Sequence, residues 1–296
     1  MRVPVPRSVV LGLAEARPVV QVIFMLRFTA GAVLADPERT TVRPQFWAGA
    51  AAWYCATVAI YLYNGVTDVV EDRANHSRRP IAGGRLSVAA ARRQVAGWAL
   101  AALVLAAFCG LPDVLPTAAV LLLGYLYSAE SVHLKSSVPG AMATAAGLGV
   151  LAYCAGFAAA GGSHPGRESL FAGAMALWMA CVGPSKDFSD AVGDAAAGRR
   201  TGCVALGDRR MRALIAVLAP AVGFGFLAAA LGLRESFVLP SACALAVGGL
   251  SVATLTALRP ARGDRGQLRR PYRAYMVTQY AAHILLLVRL AGDALT

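Results

Sequence analysis

Long apolar stretches, separated by short gaps that contain charge, Pro or Gly, follow one another along the whole chain. A helix that crosses a membrane needs about 20 mainly apolar residues, and nine stretches approach that requirement. They span residues 18–35, 46–67, 93–111, 114–128, 138–160, 169–189, 211–232, 237–258 and 272–292. None of the remaining loops has the length of a folded domain. The pattern therefore predicts one all-α, polytopic membrane domain over residues 1–296, with nine transmembrane helices.

The composition agrees with a membrane protein and limits what the charge can mean. Hydrophobic residues make up 57% of the chain and charged residues 15%, with a mean hydropathy of +0.58, whereas about a quarter of a soluble domain is charged. The formal net charge is +12. Long apolar runs separate the basic clusters, which a nucleic-acid-binding surface would hold together, so no nucleic acid is expected. The charge indicates a lipid bilayer or a small anionic substrate as the partner.

Basic residues are unevenly divided between the two sides of the predicted membrane. With the N-terminus inside, 22 of the 28 lie on the inner side, as the positive-inside rule requires. They are Arg2, Arg7, Arg17, Arg73, Arg78, Arg79, Arg85, Arg92, Arg93, Lys135, Lys186, Arg199, Arg200, Arg209, Arg210, Arg212, Arg259, Arg262, Arg265, Arg269, Arg270 and Arg273. This predicts a multi-pass protein of the cell membrane, with a cytoplasmic N-terminus and two cytoplasmic motif-bearing loops, 64–93 and 186–210.

Six of the 16 acidic residues fall in two short stretches at the inner ends of the second and sixth predicted helices. The first stretch contains Asp68, Glu71 and Asp72, and the second contains Asp187, Asp190 and Asp194. Spacings of three and four residues place the aspartates of each stretch on one helix face. Stacked carboxylates repel one another near a bilayer, whereas Mg²⁺ binds one or two carboxylates together with substrate phosphates. We therefore predict a magnesium site with the ligands Asp68, Asp72, Asp187, Asp190 and Asp194.

Basic residues lie close to both acidic stretches and include the only two lysines of the chain. They are Arg78 and Arg79 after the first stretch, Arg199 and Arg200 after the second, and Lys135 and Lys186. Metal ions and guanidinium forks together satisfy the oxygens of a diphosphate. Charged residues at helix ends also act as solvated caps and topology signals, which would be enough to explain one such stretch. Two of them on one side of the membrane favour a diphosphate site.

The motifs resemble those of the UbiA superfamily of intramembrane prenyltransferases, and the resemblance covers most of the chain. The family motifs are N-x-x-x-D-x-x-x-D with a downstream R-P-[IL]-x-x-G, a second D-x-x-x-D with a following glycine and threonine, and Y-S and L-K between them. The matching residues are Asn64, Asp68, Asp72, Arg79-Pro80-Ile81, Asp190, Asp194, Gly198, Thr201, Tyr127-Ser128 and Leu134-Lys135. One departure is Gly65, where many members have an aspartate.

The resemblance implies a helical bundle around a central cavity that is capped on the cytoplasmic side and opens laterally to lipid. It implies Mg²⁺-dependent transfer of an isoprenoid chain from its prenyl diphosphate to an acceptor, expected to be aromatic, through an allylic cation. The diphosphate-binding residues are then Asn64, Arg78, Arg79, Lys135, Lys186, Arg199 and Arg200. Catalysis is expected to involve Asp68, Lys135 and Asp190, and the final proton passes either to Asp190 or to the diphosphate.

Two other functions would use similar residues. A terpene cyclase of the same superfamily would keep the site, but double bonds of the substrate's own chain would attack the cation. An ion-coupled transporter would place carboxylates near the membrane midplane on broken helices, whereas these carboxylates lie at inner helix ends. The sequence favours transfer to an acceptor over both, and it leaves the acceptor and the chain length open.

Arg27 lies in the middle of the first predicted span, where a charge is costly. The side chain therefore either faces the cavity and meets a diphosphate or an acceptor carboxylate, or snorkels to the interface, or forms an internal ion pair. Tyr61, Tyr125 and Tyr127 lie near inner helix ends. For these rings an interfacial aromatic belt is favoured over contact with a reacting cation.

Overall fold

The computed structural model describes residues 6–36, 43–162, 169–258 and 265–293, and these residues form helices with no strand. The helices are α1 (Arg7–Glu15), α2 (Pro18–Ala35), α3 (Pro44–Thr67), α4 (Val69–Ala74), α5 (Val88–Cys109), α6 (Leu111–Ser128), α7 (Val138–Ala159), α8 (Ser169–Val182), α9 (Asp187–Ala196), α10 (Gly202–Leu206), α11 (Asp208–Gly232), α12 (Leu239–Ala257), α13 (Arg265–Leu268) and α14 (Arg270–Asp293). Short 3₁₀ turns lie at Leu134–Ser136, Gly183–Lys186 and Ser236–Val238.

Eight helices within the described ranges are long and apolar enough to cross a membrane. They are α2, α3, α5, α6, α7, α11, α12 with the turn before it, and α14. The sixth predicted span corresponds to α8, of which 14 residues are described. The predicted all-α, multi-pass architecture is confirmed. Five basic residues used for the prediction of orientation, Arg2, Arg39, Arg167, Arg259 and Arg262, lie outside the described residues.

Both acidic stretches differ from the continuous helix ends that the sequence predicts. The span predicted over 169–189 ends at Val182, and Pro184 lies in the 3₁₀ turn that follows. Proline lacks the N–H that an α-helix needs, so the second stretch begins a separate helix, α9. The first stretch bends at Asp68, which joins α3 to α4 with φ −95° and ψ 13°.

Glycines allow the helices around the centre of the bundle to pack at short distance. A Cβ atom at Gly31 of α2 would lie 2.2 Å from the Tyr153 carbonyl oxygen on α7, and one at Gly156 of α7 would lie 1.9 Å from the Phe28 carbonyl oxygen on α2. Such small residues let helix backbones approach in lipid, where the hydrophobic effect does not drive association. The α2–α7 pair therefore forms a closely packed wall of the bundle.

The short elements at the ends of the spanning helices pack together into a cap, which consists of α4, Leu134–Ser136, α9, α10 and α13. Helix α9 contacts α4 closely, because Gly193 has no side chain and its N–H donates to Asn75 Oδ1 at 3.1 Å. The backbone N–H of Arg200 donates to the Ser136 carbonyl oxygen at 2.9 Å. The cap brings the two acidic stretches to the same end of the bundle.

Candidate active site

Asp68 lies at the end of α3 and is held by two basic side chains from other parts of the chain. Its Oδ1 accepts hydrogen bonds from Lys135 Nζ at 2.6 Å and from Arg199 Nη2 at 2.7 Å. Lys135 also donates to Thr67 Oγ1 at 2.7 Å. Burial raises the pKa of Asp68, but attraction to the two cations outweighs burial and holds this pKa well below its usual range. The Asp68 carboxylate is therefore ionised and compensated by cations.

Arg199 connects the two acidic stretches. Its guanidinium contacts the carboxylates of Asp68 and Glu71 in the first stretch. The same guanidinium lies 3.6 Å, from Nη1 to Oδ1, from Asp194 in the second stretch. All four side chains are buried. Carboxylates that are far apart in sequence therefore face one another across a single cation.

Asp190 forms a second cluster of opposite charges at the edge of the site. Its Oδ2 lies 2.9 Å from Lys186 Nζ, and its Oδ1 accepts a hydrogen bond from Arg265 Nη2 at 3.0 Å. Burial raises the pKa of Asp190, but these two cations outweigh burial and hold it well below its usual range. Arg265 also donates to the Asn75 carbonyl oxygen at 2.6 Å. The α13 arginine thus links the second stretch to the residues that follow the first.

Asp187 is partly buried and Asp194 is buried, and both have fewer cations around them. Asp187 Oδ2 accepts a hydrogen bond from the Gly202 N–H at 2.8 Å, and Asp194 Oδ2 accepts one from Thr201 Oγ1 at 2.9 Å. Burial raises the pKa of Asp187 to about 7 and also raises that of Asp194. The described ranges contain no group of three or more acidic, His or Cys side chains arranged as a ready-made metal site. Basic side chains occupy the space between the carboxylates.

Arg79 is held by two carboxylates. Its Nη1 lies 2.8 Å from Asp72 Oδ2, and its Nε lies 2.6 Å from Oε1 of Glu15, a fully buried residue at the end of α1. Glu15 Oε2 accepts the Ile81 N–H at 2.8 Å. A Cβ atom at Gly65 would lie 2.4 Å from Glu15 Oε1. Glu15 therefore fills the space beside the motif asparagine and positions Arg79. The sequence showed the departure at Gly65 but did not reveal this role of Glu15.

Of three other residues predicted to bind the diphosphate, Asn64 lies at a cavity, whereas Arg78 and Arg200 lie at the surface. Asn64 Nδ2 lies 3.4 Å from Ser128 Oγ, and Asn64 lines a cavity together with Asp68. The side chains of Arg78 and Arg200 are exposed. The Arg78 carbonyl oxygen accepts a hydrogen bond from Arg85, and the Arg200 backbone pairs with the segment after Lys135. The structure does not bring the Arg78 and Arg200 side chains to the site.

The sequence matches the family model of the UbiA prenyltransferase family over residues 24–275. This match includes both acidic stretches and the lysine between them. The chain belongs to this family. No curated protein has a sequence that matches this one significantly.

Solved structures of UbiA homologues have the same fold. A homologue from Archaeoglobus fulgidus bound to DMAPP and Mg²⁺ is 18% identical, with a TM-score of 0.67 over 93% of this chain and 98% of that one. The apo structure of a homologue from Aeropyrum pernix K1 is 20% identical, with a TM-score of 0.60 over 93% and 98%. A structure of digeranylgeranylglyceryl phosphate synthase is 15% identical, with a TM-score of 0.65 over 96% and 99%. These likenesses establish the bundle.

In this UbiA-family bundle, a cavity runs from the cap into the apolar interior. Five of its charged lining residues lie on the cap side, namely Lys135, Lys186, Asp187, Asp194 and Arg199, and a sixth, Arg27, lies in the middle of α2. Its apolar lining includes Ile23, Phe24, Met142, Leu148, Met179 and Met276. An adjoining cavity shares many of these walls and adds Asn64, Asp68 and Arg17. Arg17, which precedes α2, is a cavity residue that the sequence had identified only as a topology signal.

Four tyrosines line the cavity, and two of them correct a prediction. Tyr61 and Tyr127 were expected in an interfacial aromatic belt, but they face the cavity together with Tyr272 and Tyr275. Tyr125 is 50% exposed and stacks on Tyr63. Tyr127 lies in the last turn of α6 and faces the cavity, which the sequence did not reveal because apolar residues surround α6 on most of its faces.

Proposed function

We propose that this protein transfers an isoprenoid chain from a prenyl diphosphate to a small aromatic acceptor. The observation that carries the proposal is a cavity with two chemically different ends. Carboxylates and cations converge at its cap end, and apolar side chains form the walls beyond. A diphosphate with an isoprenoid tail has the same division. UbiA homologues from Archaeoglobus fulgidus were solved with DMAPP and Mg²⁺ and with GPP and Mg²⁺, which supports this choice of substrate.

The residues fit Mg²⁺, which prefers oxygen ligands and shares them with substrate phosphates. One guanidinium, that of Arg199, already lies between carboxylates of both stretches, so a cation is compatible with this position. We assign the metal-binding carboxylates to Asp68, Asp72, Asp187, Asp190 and Asp194. Those of Asp68, Asp72 and Asp190 are held by arginine and lysine partners, so metal binding there competes with ion pairs. When bound, Mg²⁺ supplies positive charge that neutralises the leaving diphosphate.

Lys135, Lys186 and Arg199 are the basic side chains that line the cavity at its cap end. We assign them to the diphosphate oxygens, where their positive charge stabilises the negative charge that develops as the C–O bond breaks. Lys135 and Arg199 are prepositioned by Asp68. This prepositioning lowers the reorganisation that binding requires.

The walls of the cavity suit an allylic cation. Apolar side chains keep water from the cation, and the rings of Tyr61, Tyr127, Tyr272 and Tyr275 provide π faces that attract it. An electron-rich ring carbon of the acceptor then forms the new C–C bond and loses its proton. Asp190 is engaged by Lys186 and Arg265, so we assign this proton to the departing diphosphate.

Product analysis tests the proposal. Purified enzyme with Mg²⁺ is incubated with geranyl, farnesyl or geranylgeranyl diphosphate, with and without a panel of aromatic acids, and products are identified by mass spectrometry. We expect a prenylated acid and inorganic diphosphate, only when both substrates are present. Formation of a cyclic hydrocarbon or terpene alcohol from the diphosphate alone would instead identify a terpene cyclase and contradict the proposal.

A further inference from the structure

Arg27 is a buried guanidinium in the middle of α2, and no carboxylate of the described residues pairs with it. It is 4% exposed and lines the cavity. Its Nη2 donates to Gln279 Oε1 at 2.6 Å, and its guanidinium carbon lies 5.2 Å from the centre of the Phe24 ring. Within the part of the chain that the structure describes, its buried Nε has no hydrogen-bond acceptor. Arg27 forms no ion pair with any residue that the structure describes.

The polar side chains around Arg27 supply no negative charge. The backbone carbonyl oxygen of Gln279 can only accept, so His283 Nδ1 donates to it at 2.6 Å. His283 Nε2 is then the acceptor for the Tyr153 hydroxyl, also at 2.6 Å. Neither the imidazole nor the tyrosine hydroxyl supplies a negative charge, although the Tyr153 hydroxyl also lies within hydrogen-bonding range of Arg27. Gln279 Nε2 donates to the sulfur of Met276 at 3.0 Å, which is a weak acceptor.

This arrangement leaves strong donors at the cavity wall without a strong acceptor. A guanidinium does not lose its proton in a protein, and an uncompensated charge inside a membrane bundle is costly. The side chain does not snorkel, because it is buried, and it forms no internal ion pair within the described ranges. An anionic group of a ligand would complete the site.

The position of Arg27 separates it from the diphosphate site. Arg17 directly precedes α2 and lines the cavity beside Asp68. Arg27 is ten residues further along, which corresponds to about 15 Å along the axis of an α-helix. A diphosphate bound by the residues of the cap would therefore leave Arg27 for a different group.

We propose that Arg27 and Gln279 form a carboxylate-binding subsite for the acceptor. The inference rests on the proposed transfer reaction and specifies its second substrate as a small molecule with one carboxylate. The two oxygens of a carboxylate match parallel N–H donors of a guanidinium and a neighbouring amide. One guanidinium balances one negative charge, whereas a phosphate monoester carries nearly two. Phe24 beside the subsite offers a face for an aromatic ring.

Binding measurements with matched ligands test the subsite. Affinities of aromatic acids and of the corresponding neutral amides are measured by calorimetry on detergent-solubilised enzyme, in wild type, Arg27→Gln and the exposed control Arg92→Gln. Truncating one partner of a buried charge pair has a large effect, so we expect Arg27→Gln to weaken acid binding about 100-fold or more. Binding of the amides and of a prenyl diphosphate should be unchanged, and Arg92→Gln should match wild type.

A second variant keeps the test informative if Arg27→Gln folds poorly. Gln279→Glu places a carboxylate of the protein itself beside Arg27, where it acts as a counter-ion. We expect this variant to unfold at a higher temperature and to lose acid binding, while it still binds the diphosphate. A purely structural role for Arg27 would leave the preference for acid over amide unchanged in both variants.

Other outcomes contradict either the proposed subsite or the proposed transfer function on which it rests. Equal affinity of wild type for acids and amides, or unchanged acid binding in Arg27→Gln, overturns the subsite. If wild type binds no prenyl diphosphate, or converts it alone to a terpene, the proposed transfer function fails instead. Because the two ligands are measured separately, the two failures are distinguishable.

Discussion

Glu15 is a buried carboxylate whose two oxygens serve different parts of one loop. One oxygen pairs with Arg79, and the other accepts the Ile81 N–H. The Glu15 carboxylate fits beside α3 only because residue 65 is a glycine and has no side chain there. A carboxylate at position 65 and one at position 15 are therefore alternatives for the same location.

Moving the carboxylate from position 15 to position 65 tests whether the two positions are equivalent. Loss of one partner of a buried ion pair costs about 3–5 kcal/mol, so Glu15→Ala should lower the free energy of unfolding by that order. Gly65→Asp alone should also destabilise the protein, because the new side chain meets Glu15. In the double variant Glu15→Ala/Gly65→Asp, the new carboxylate should pair with Arg79 and recover much of the loss. Thermal unfolding in detergent measures this, and a double variant less stable than both single variants would contradict it.

Individual side-chain partners were the least predictable part of the site. The sequence pointed to the acids, Lys135 and Arg199 because residue type and spacing can be read from it, and the structure brings these residues to one end of the bundle. It did not reveal that Glu15 holds Arg79 or that Arg17 lines a cavity, because those contacts depend on how α1 and α2 pack against α3. Tertiary contacts of this kind leave no local pattern.

The cap elements bring the two acidic stretches together through one close contact. Gly193 of α9 packs on α4, where an added Cβ atom would lie 2.1 Å from Asn75 Nδ2 and 2.8 Å from the Glu71 carbonyl oxygen. The spanning helices were predictable because apolar length determines them. The cap was not, since its helices are short and their ends depend on Pro184 and on the bend at Asp68.

A substitution at this contact should separate the stretches. Overpacking costs about 1–3 kcal/mol, so Gly193→Ala should lower the free energy of unfolding by that amount and reduce kcat/KM more than tenfold. The control Gly97→Ala lies in α5, where nothing is within 4 Å of the added Cβ atom, and it should be neutral or slightly stabilising. Equal activities of the two variants would show that the α4–α9 contact does not position the site.

The bundle as a whole is a multi-pass membrane protein, and we propose that its cap faces the cytoplasm. Most basic residues lie on the cap side by sequence, which is the bias expected of cytoplasmic loops. Arg85 lies in the loop between α4 and α5, and Arg234 lies in the turn between α11 and the Ser236–Val238 turn. Both are exposed, and they are predicted on opposite sides.

Labelling of single cysteines tests this orientation. In a cysteine-free variant, a cysteine replacing Arg234 should react with a membrane-impermeant maleimide in intact cells. One replacing Arg85 should react only after the membrane is permeabilised. The reverse pattern would place the cap outside.

The whole site depends on carboxylates and cations that bind a prenyl diphosphate together with Mg²⁺. Equilibrium binding of a non-hydrolysable geranyl thiodiphosphate, with and without Mg²⁺, measures this directly in wild type and in Asp68→Asn. Metal and charge-assisted contacts to a phosphate contribute strongly, so we expect Mg²⁺ to tighten binding to wild type about 100-fold and Asp68→Asn to lose most of that gain. Equal affinity in the presence and absence of Mg²⁺, or a full Mg²⁺ effect in Asp68→Asn, would contradict the proposed site.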